Sequence, residues 1–221
     1  MNFESSFTPI IYFLGALISL IFLRKHLSKV HTGTRKKING IWNLSNFGRT
    51  FSWHPKGILR PQTFEELQQI LLTRRKKGIK RIVPSGSLHS WSACCVTDQY
   101  NLDTRALNRV LSVDKKNKRI KAEAGIYLKD LFAEMRKNDM AFPVMPNIDV
   151  ITLGGAVCNS THGSSIKYGT FCSLVTEIEI LDANGKLWKL PRESQDPQIR
   201  RYFDAALVSF GALGVIYSIT M

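Results

Sequence analysis

The sequence predicts an α+β fold, and three observations carry that prediction. Two stretches read as β-hairpins: alternating apolar residues on both sides of a polar turn, in "RVLSVDKKNKRIKAEAG" and in "LVTEIEILDANGKLWKL", the second with Asn184-Gly185 at its turn. Amphipathic helical stretches separate the strands instead of alternating with them in regular βαβ order. No internal repeat is evident. At 221 residues and 44% hydrophobic composition, the chain is long enough for a sizeable core and shows no sign of overall disorder.

Taken in order, the chain opens with "FTPIIYFLGALISLIFL", residues 7–23, an uncharged run of 17 residues. Glu4 precedes it and "RKHLSK" follows, the reverse of a signal peptide's charge order. The reading is an uncleaved, single-pass transmembrane anchor with the bulk of the protein on the cytosolic side. The net charge is +14, and the cations crowd between Arg24 and Arg81, opposed there only by Glu65 and Glu66. The first part of this stretch, to Lys37, suits the anionic lipid surface beside such an anchor. Nucleic acid is the weaker partner, because the cluster lacks interleaved aromatic residues. The division is therefore 1–37, anchor and basic juxtamembrane segment; 38–60, a linker and leading loop; and 61–221, the folded domain.

Within that domain, "RPQTFEELQQILLTRRKKG" reads as a helix. Thr63 and Glu66 have capping-box spacing, Leu67, Ile70 and Leu71 share a face, and Gly78 ends it. "RIVP" and "NLD" read as short strands. "YLKDLFAEMRKN" is an amphipathic helix with Leu128, Leu131, Phe132 and Met135 on one side. The stretch from Pro143 to Gly169 is dense in small residues and reads as loop. "QIRRYFDAALVSF" is a helix, and "GALGVIYSITM" is a glycine turn entering a strand.

Three glycine-containing turns stand out: "PSGSLHS", "LGGAVCNSTHG" and "GALGVI". None has the G-x-G-x-x-G or G-x-x-x-x-G-K-[ST] spacing, which disfavours a nicotinamide Rossmann site and a Walker loop. Backbone N–H groups in such turns still cradle phosphate oxygens, so several on one domain suit an extended, phosphate-bearing ligand such as a dinucleotide. His89 and His162 lie in two of these turns. A lone histidine is more often structural than a ligand. Spacing supports neither a zinc site with the cysteines nor a Cys-His nucleophile pair. Cys94, Cys95, Cys158 and Cys172 form no disulfide framework and read as reduced core thiols.

Four stretches, in order, resemble the FAD-binding (PCMH-type) domain of the vanillyl-alcohol-oxidase flavoproteins, and among them the sugar-lactone oxidases. "PSGSLHSWSACCVTD" is similar to the family's first flavin turn, "AEAGIYLKDL" to its A-G-x-x-L-x-D-L, "NIDVITLGGAVCNSTHGSSIKYG" to its I-D-x-x-T-x-G-G and T-H-G run, and "FDAALVSFGALGVIYSITM" to its closing segment. The resemblance implies two small sheet-containing subdomains with FAD between them. It assigns Ser85, Gly86, Ser87, Leu88, His89 and Ser90 to the pyrophosphate turn, with His89 as the covalent flavin tether. It assigns further FAD contacts to Asn147, Thr152, Gly155, Ser160, Thr161, His162, Gly163, Val215 and Ile216. Leu88 departs from the family, which usually has glycine there. The implied activity is FAD-dependent oxidation of an aldonolactone of the L-gulono- or D-arabinono-1,4-lactone type, with hydride passing to the flavin and then to oxygen to give hydrogen peroxide. The family's substrate-covering cap domain, where catalytic residues are expected, has no counterpart here. The alternative is a membrane-anchored, non-catalytic flavin-binding remnant.

Overall fold

A computed structural model describes residues 32–221. The membrane span expected over residues 7–23 lies outside the described residues, and among those no helix is long and apolar enough to cross a membrane.

The chain begins with a small antiparallel sheet where the sequence reading placed basic segment and linker. Strands β1 (Thr34–Ile38), β2 (Ile41–Ser45) and β3 (Ser52–Trp53) pair in that order. Asn39 and Gly40 make the first turn at φ +48° and +81°, the geometry of a two-residue hairpin, in register Ile38↔Ile41. The expected linker is thus folded, and Arg35, counted among lipid-facing cations, has a side chain only 3% exposed.

Strand β4 (Gly57–Leu59) leads into helix α1 (Phe64–Thr73). Thr63 caps α1 by accepting from the Glu66 N–H at 3.2 Å, and the Glu66 carboxylate accepts from the Gln62 N–H at 2.8 Å. Strands β5 (Ile82–Ser85) and β6 (Tyr100–Asp103) complete a second, parallel sheet in the order β4-β6-β5. The sequence found β5 and β6 but not their parallel pairing, because strands this short carry no periodicity that reveals a partner.

The two predicted hairpins are β7 (Val110–Asp114) with β8 (Arg119–Glu123), and β9 (Glu177–Leu181) with β10 (Leu187–Pro191). Strand β11 (Val215–Thr220) inserts between them, giving a five-stranded antiparallel sheet in the order β10-β9-β11-β8-β7. Helix α2 (Leu128–Lys137) and helix α4 (Pro197–Leu207), the latter capped by Asp196, follow the predicted amphipathic stretches. Inside the expected loop lies a six-residue helix, α3 (Leu153–Cys158).

Apolar burial joins these parts. Ile120, Ile178 and Ile219 of the large sheet meet Leu131 of α2, Val157 of α3 and Phe203 of α4 in the main core. A second cluster of Leu67, Leu71, Leu102, Leu181 and Val215 welds α1 and the parallel sheet to the large sheet. At roughly 1.5–3 kcal/mol per buried large aliphatic side chain, these clusters dominate stability. Leu44, Trp53 and Leu88 form a third, smaller cluster that docks the N-terminal sheet onto the turn after β5.

Candidate flavin site

The strand-to-turn passage at Ser85 and Gly86 faces α3 across a groove. One end is a cleft lined by residues that include Ser85, Gly86, Thr152, Gly155, Val215 and Ile216. The other is lined by Gly86 through Ser90, Ile151, Thr152, Gly155 and Thr161 among others. The two clefts share Gly86, Cys94, Cys95, Thr152, Gly155 and Asn159, so they adjoin. Most of the residues that the sequence assigned to the site therefore converge. Asn147, Ser160, His162 and Gly163 do not line it. Asn147 and His162 are exposed, the His162 Nδ1 lies 3.0 Å from the Gly163 carbonyl oxygen, and the Ser160 hydroxyl donates to Thr170. Sequence reasoning missed Cys94 and Cys95 as lining and set them aside as core.

The turn is held from behind. The Gly33 N–H donates to the Ser87 carbonyl at 3.0 Å, and the Phe47 N–H to the Leu88 carbonyl at 2.8 Å. His89 lines the groove and stacks on Phe47, ring centroids 4.2 Å apart and 11° from parallel. Leu88 adopts φ +57°, the left-handed region that favours glycine. Its side chain is 3% exposed and sits with Leu44 and Trp53. The departure from glycine is thus a hydrophobic plug for the N-terminal sheet.

Charge fixes the start of the turn. The Arg35 guanidinium donates to the Ser85 hydroxyl at 3.2 Å and to the Gly86 carbonyl. Its Nε lies 3.5 Å from the Asp103 carboxylate, which is 5% exposed and also takes two 2.8 Å hydrogen bonds from Arg105. Burial alone would raise the Asp103 carboxyl, but the hydrogen bonds from Arg105 and the charge of Arg35 hold it below its usual value. Burial lowers Arg35 to about 10, with the Asp103 charge opposing that shift, so it is charged at neutral pH. Asn101 adds an uncharged brace: it accepts from the Trp53 indole N–H at 2.8 Å and donates to the Cys95 carbonyl at 2.9 Å.

These residues fit an FAD. Among the described residues no carboxylate lines either cleft, which suits a pyrophosphate. A Cβ on Gly86 would collide with the Thr152 hydroxyl, and one on Gly214, at φ +145°, with the Leu181 carbonyl oxygen. Bare backbone therefore lines the groove at these two glycines. The buried Arg35 Nη1 has no hydrogen-bond partner.

A fold of this kind with such a groove defines a class, the FAD-dependent flavoproteins. Residues 55–191 match the model of the FAD binding domain family, and the chain belongs to that family. Its cofactor is FAD. The chain is 33% identical over 80% of its length to "L-gulonolactone oxidase" of Bos taurus and covers 39% of that protein. It is 29% identical over 76% of its length to "L-gulono-1,4-lactone dehydrogenase" of Mycobacterium tuberculosis, covering 37% of it. Against "D-arabinono-1,4-lactone oxidase" of Candida glabrata the identity is 27%, over 80% of this chain and 33% of the relative. The chain thus spans under two fifths of the length of these curated relatives. A solved structure of alkyldihydroxyacetonephosphate synthase superposes with a TM-score of 0.67 at 22% identity, covering 79% of this chain and 32% of that one, a likeness of fold.

Proposed function

We propose that this chain is the flavin-binding part of a sugar-1,4-lactone oxidoreductase. The observation that carries the reading is the groove: two walls of small residues, free of carboxylates, with His89 on the lining, in a chain similar to lactone oxidases and a lactone dehydrogenase. Bound FAD supplies a hydride acceptor for oxidation of a lactone carbinol. The chain's own residues bind and orient it. Ser85 to Ser90 cradle the pyrophosphate, Arg35 fixes that turn, and Thr152, Gly155, Val215 and Ile216 form the facing wall. In this reading His89 is the covalent tether.

The test is direct. Protein purified after growth with riboflavin is expected to be yellow, and to stay yellow after acid precipitation when His89 holds the flavin. Colour released by acid from wild type would remove the tether and leave the binding reading. Peroxide formed with L-gulono-, L-galactono- or D-arabinono-1,4-lactone makes it an oxidase; turnover only with an artificial acceptor makes it a dehydrogenase. Yellow protein with neither activity favours the flavin-binding remnant, the second reading. Membrane attachment through the apolar run at residues 7–23 and the adjoining cations belongs to the same proposal. Carbonate-resistant pelleting, lost on deletion of residues 1–31, tests it.

A further inference from the structure

Flavin binding assigns no role to the two adjacent thiols in the groove wall. Cys94 and Cys95 line both clefts, and their Sγ atoms lie 3.8 Å apart. The short helical turn Ala93–Cys95 presents them together. It is fixed by the Val96 N–H on the Ala93 carbonyl at 2.9 Å and by Asn101 on the Cys95 carbonyl. The Cys94 sulfur also lies 3.2 Å from the Ser90 hydroxyl, one residue from His89. The other two cysteines are arranged differently. Cys172 is buried with its thiol on the Val157 carbonyl, and Cys158 faces the Ser209 hydroxyl.

We propose that Cys94 and Cys95 are a peroxide-sensitive dithiol that closes to a vicinal disulfide in the wall of the flavin groove. The hydrogen bond from Cys95 pulls the Cys94 thiol down to about 5, against burial, with Ser90 and Ser92 assisting. The same contact, with burial, pushes Cys95 up. The pair therefore holds one proton between two sulfurs, and Cys94 is the nucleophile. Its thiolate attacks an oxygen of hydrogen peroxide, forming an S–O bond as the O–O bond breaks; the departing hydroxide takes a proton from solvent, replacing the one Cys94 had released there, and leaves as water. The Cys95 sulfur then attacks the sulfenic sulfur. The S–S bond forms, the S–O bond breaks, and the hydroxide carries off the Cys95 proton as a second water. Two thiols lose two electrons, and one peroxide becomes two waters.

Geometry makes this bond reversible. Consecutive Cα atoms are about 3.8 Å apart, below the roughly 4.4–6.8 Å usual across a disulfide, so the closed ring is strained and readily reduced. Closure also withdraws Cys94 from Ser90 and alters the turn that carries His89. This second effect rests on the groove holding FAD, whereas closure rests on the sulfurs alone.

The full chain, reduced, desalted and treated with equimolar hydrogen peroxide, is alkylated and analysed by intact mass and peptide mapping. The expected result is the loss of two hydrogens and of two of the four thiols, mapped to the peptide containing Cys94 and Cys95 and reversed by dithiothreitol. Oxygen added to Cys94 with Cys95 still alkylated overturns the proposal, as does a disulfide at Cys158 or Cys172 or between chains. Cys94→Ser and Cys95→Ser should each abolish the two-hydrogen loss; mapping on wild type decides alone if either misfolds. FAD loading, followed by quenching of flavin fluorescence, should be several-fold slower in the closed form. Equal rates would overturn the effect on the groove. Reduced protein that never quenches FAD would instead sink the flavin reading and leave the dithiol standing.

Discussion

The two walls of the groove are built by different forces. The wall from Ser85 to Cys95 is positioned by polar groups taken out of water: Arg35 of β1 and Asn101 and Asp103 of β6 reach it from two separate strands. The facing wall, α3 and the start of β11, is positioned by Leu153, Ala156, Val157 and Ile216 in the main core. Packing tolerates graded loss. A buried ion pair does not, because removing one partner strands a charge, while replacing both with apolar groups is often harmless. The first wall therefore has a geometry set by a few polar partners, Arg35 some fifty positions away, and the second a stability spread over the main core.

Breaking the first wall should have the largest effect. Asp103→Leu, which leaves Arg35 buried and uncompensated, should cost about 3–5 kcal/mol in urea unfolding. Adding Arg35→Met should recover most of that while flavin affinity stays low. A double variant no more stable than Asp103→Leu would erase the contrast between walls. Leu153→Ala on the second wall should cost about 2–4 kcal/mol, with flavin affinity following stability alone.

Leu88→Gly opposes two effects: lost burial of about 2–3 kcal/mol against relief of left-handed strain of about 1 kcal/mol. The net destabilisation should be about 1–2 kcal/mol in the same measurement. An equal cost to Leu153→Ala would mean that the left-handed conformation stores no strain.

The smallest effect is acid sensitivity. The Asp103 carboxyl is held below its ordinary 3.8, so its contribution is complete above that pH and is lost as pH falls through the depressed value. Flavin release on acidification should therefore begin below pH 3.8 in the non-covalent His89→Ala protein. Release at higher pH would assign it to another group.

The sequence made the lining of the first wall legible but not the residues that hold it, and the second wall only in part. The hairpins and α2 follow from periods of two and 3.6, and Val215 and Ile216 from the motif order. Helix α3 did not follow, because "LGGAVC" has the composition of a loop and is helical only where Leu153, Ala156 and Val157 meet the core. The N-terminal sheet is short and rich in lysine, and "TRKKI" beside an apolar run reads as a charged flank. The Asn39-Gly40 turn signal was present and offered the one local clue. That Arg35 turns inward depends on Asp103, 68 positions later, and no local pattern encodes it.

The position of β11 has a consequence for folding order. Both hairpins of the large sheet form locally, but each shows an unpaired inner edge, β8 and β9, until residues 215–220 pair between them. A nascent chain must therefore hold two open strand edges, with the apolar faces of Ile120 and Ile178, until that segment has cleared the ribosome. Chaperone dependence and aggregation during synthesis should concentrate in that interval, and release of β11 should be the step that commits the domain to its native state.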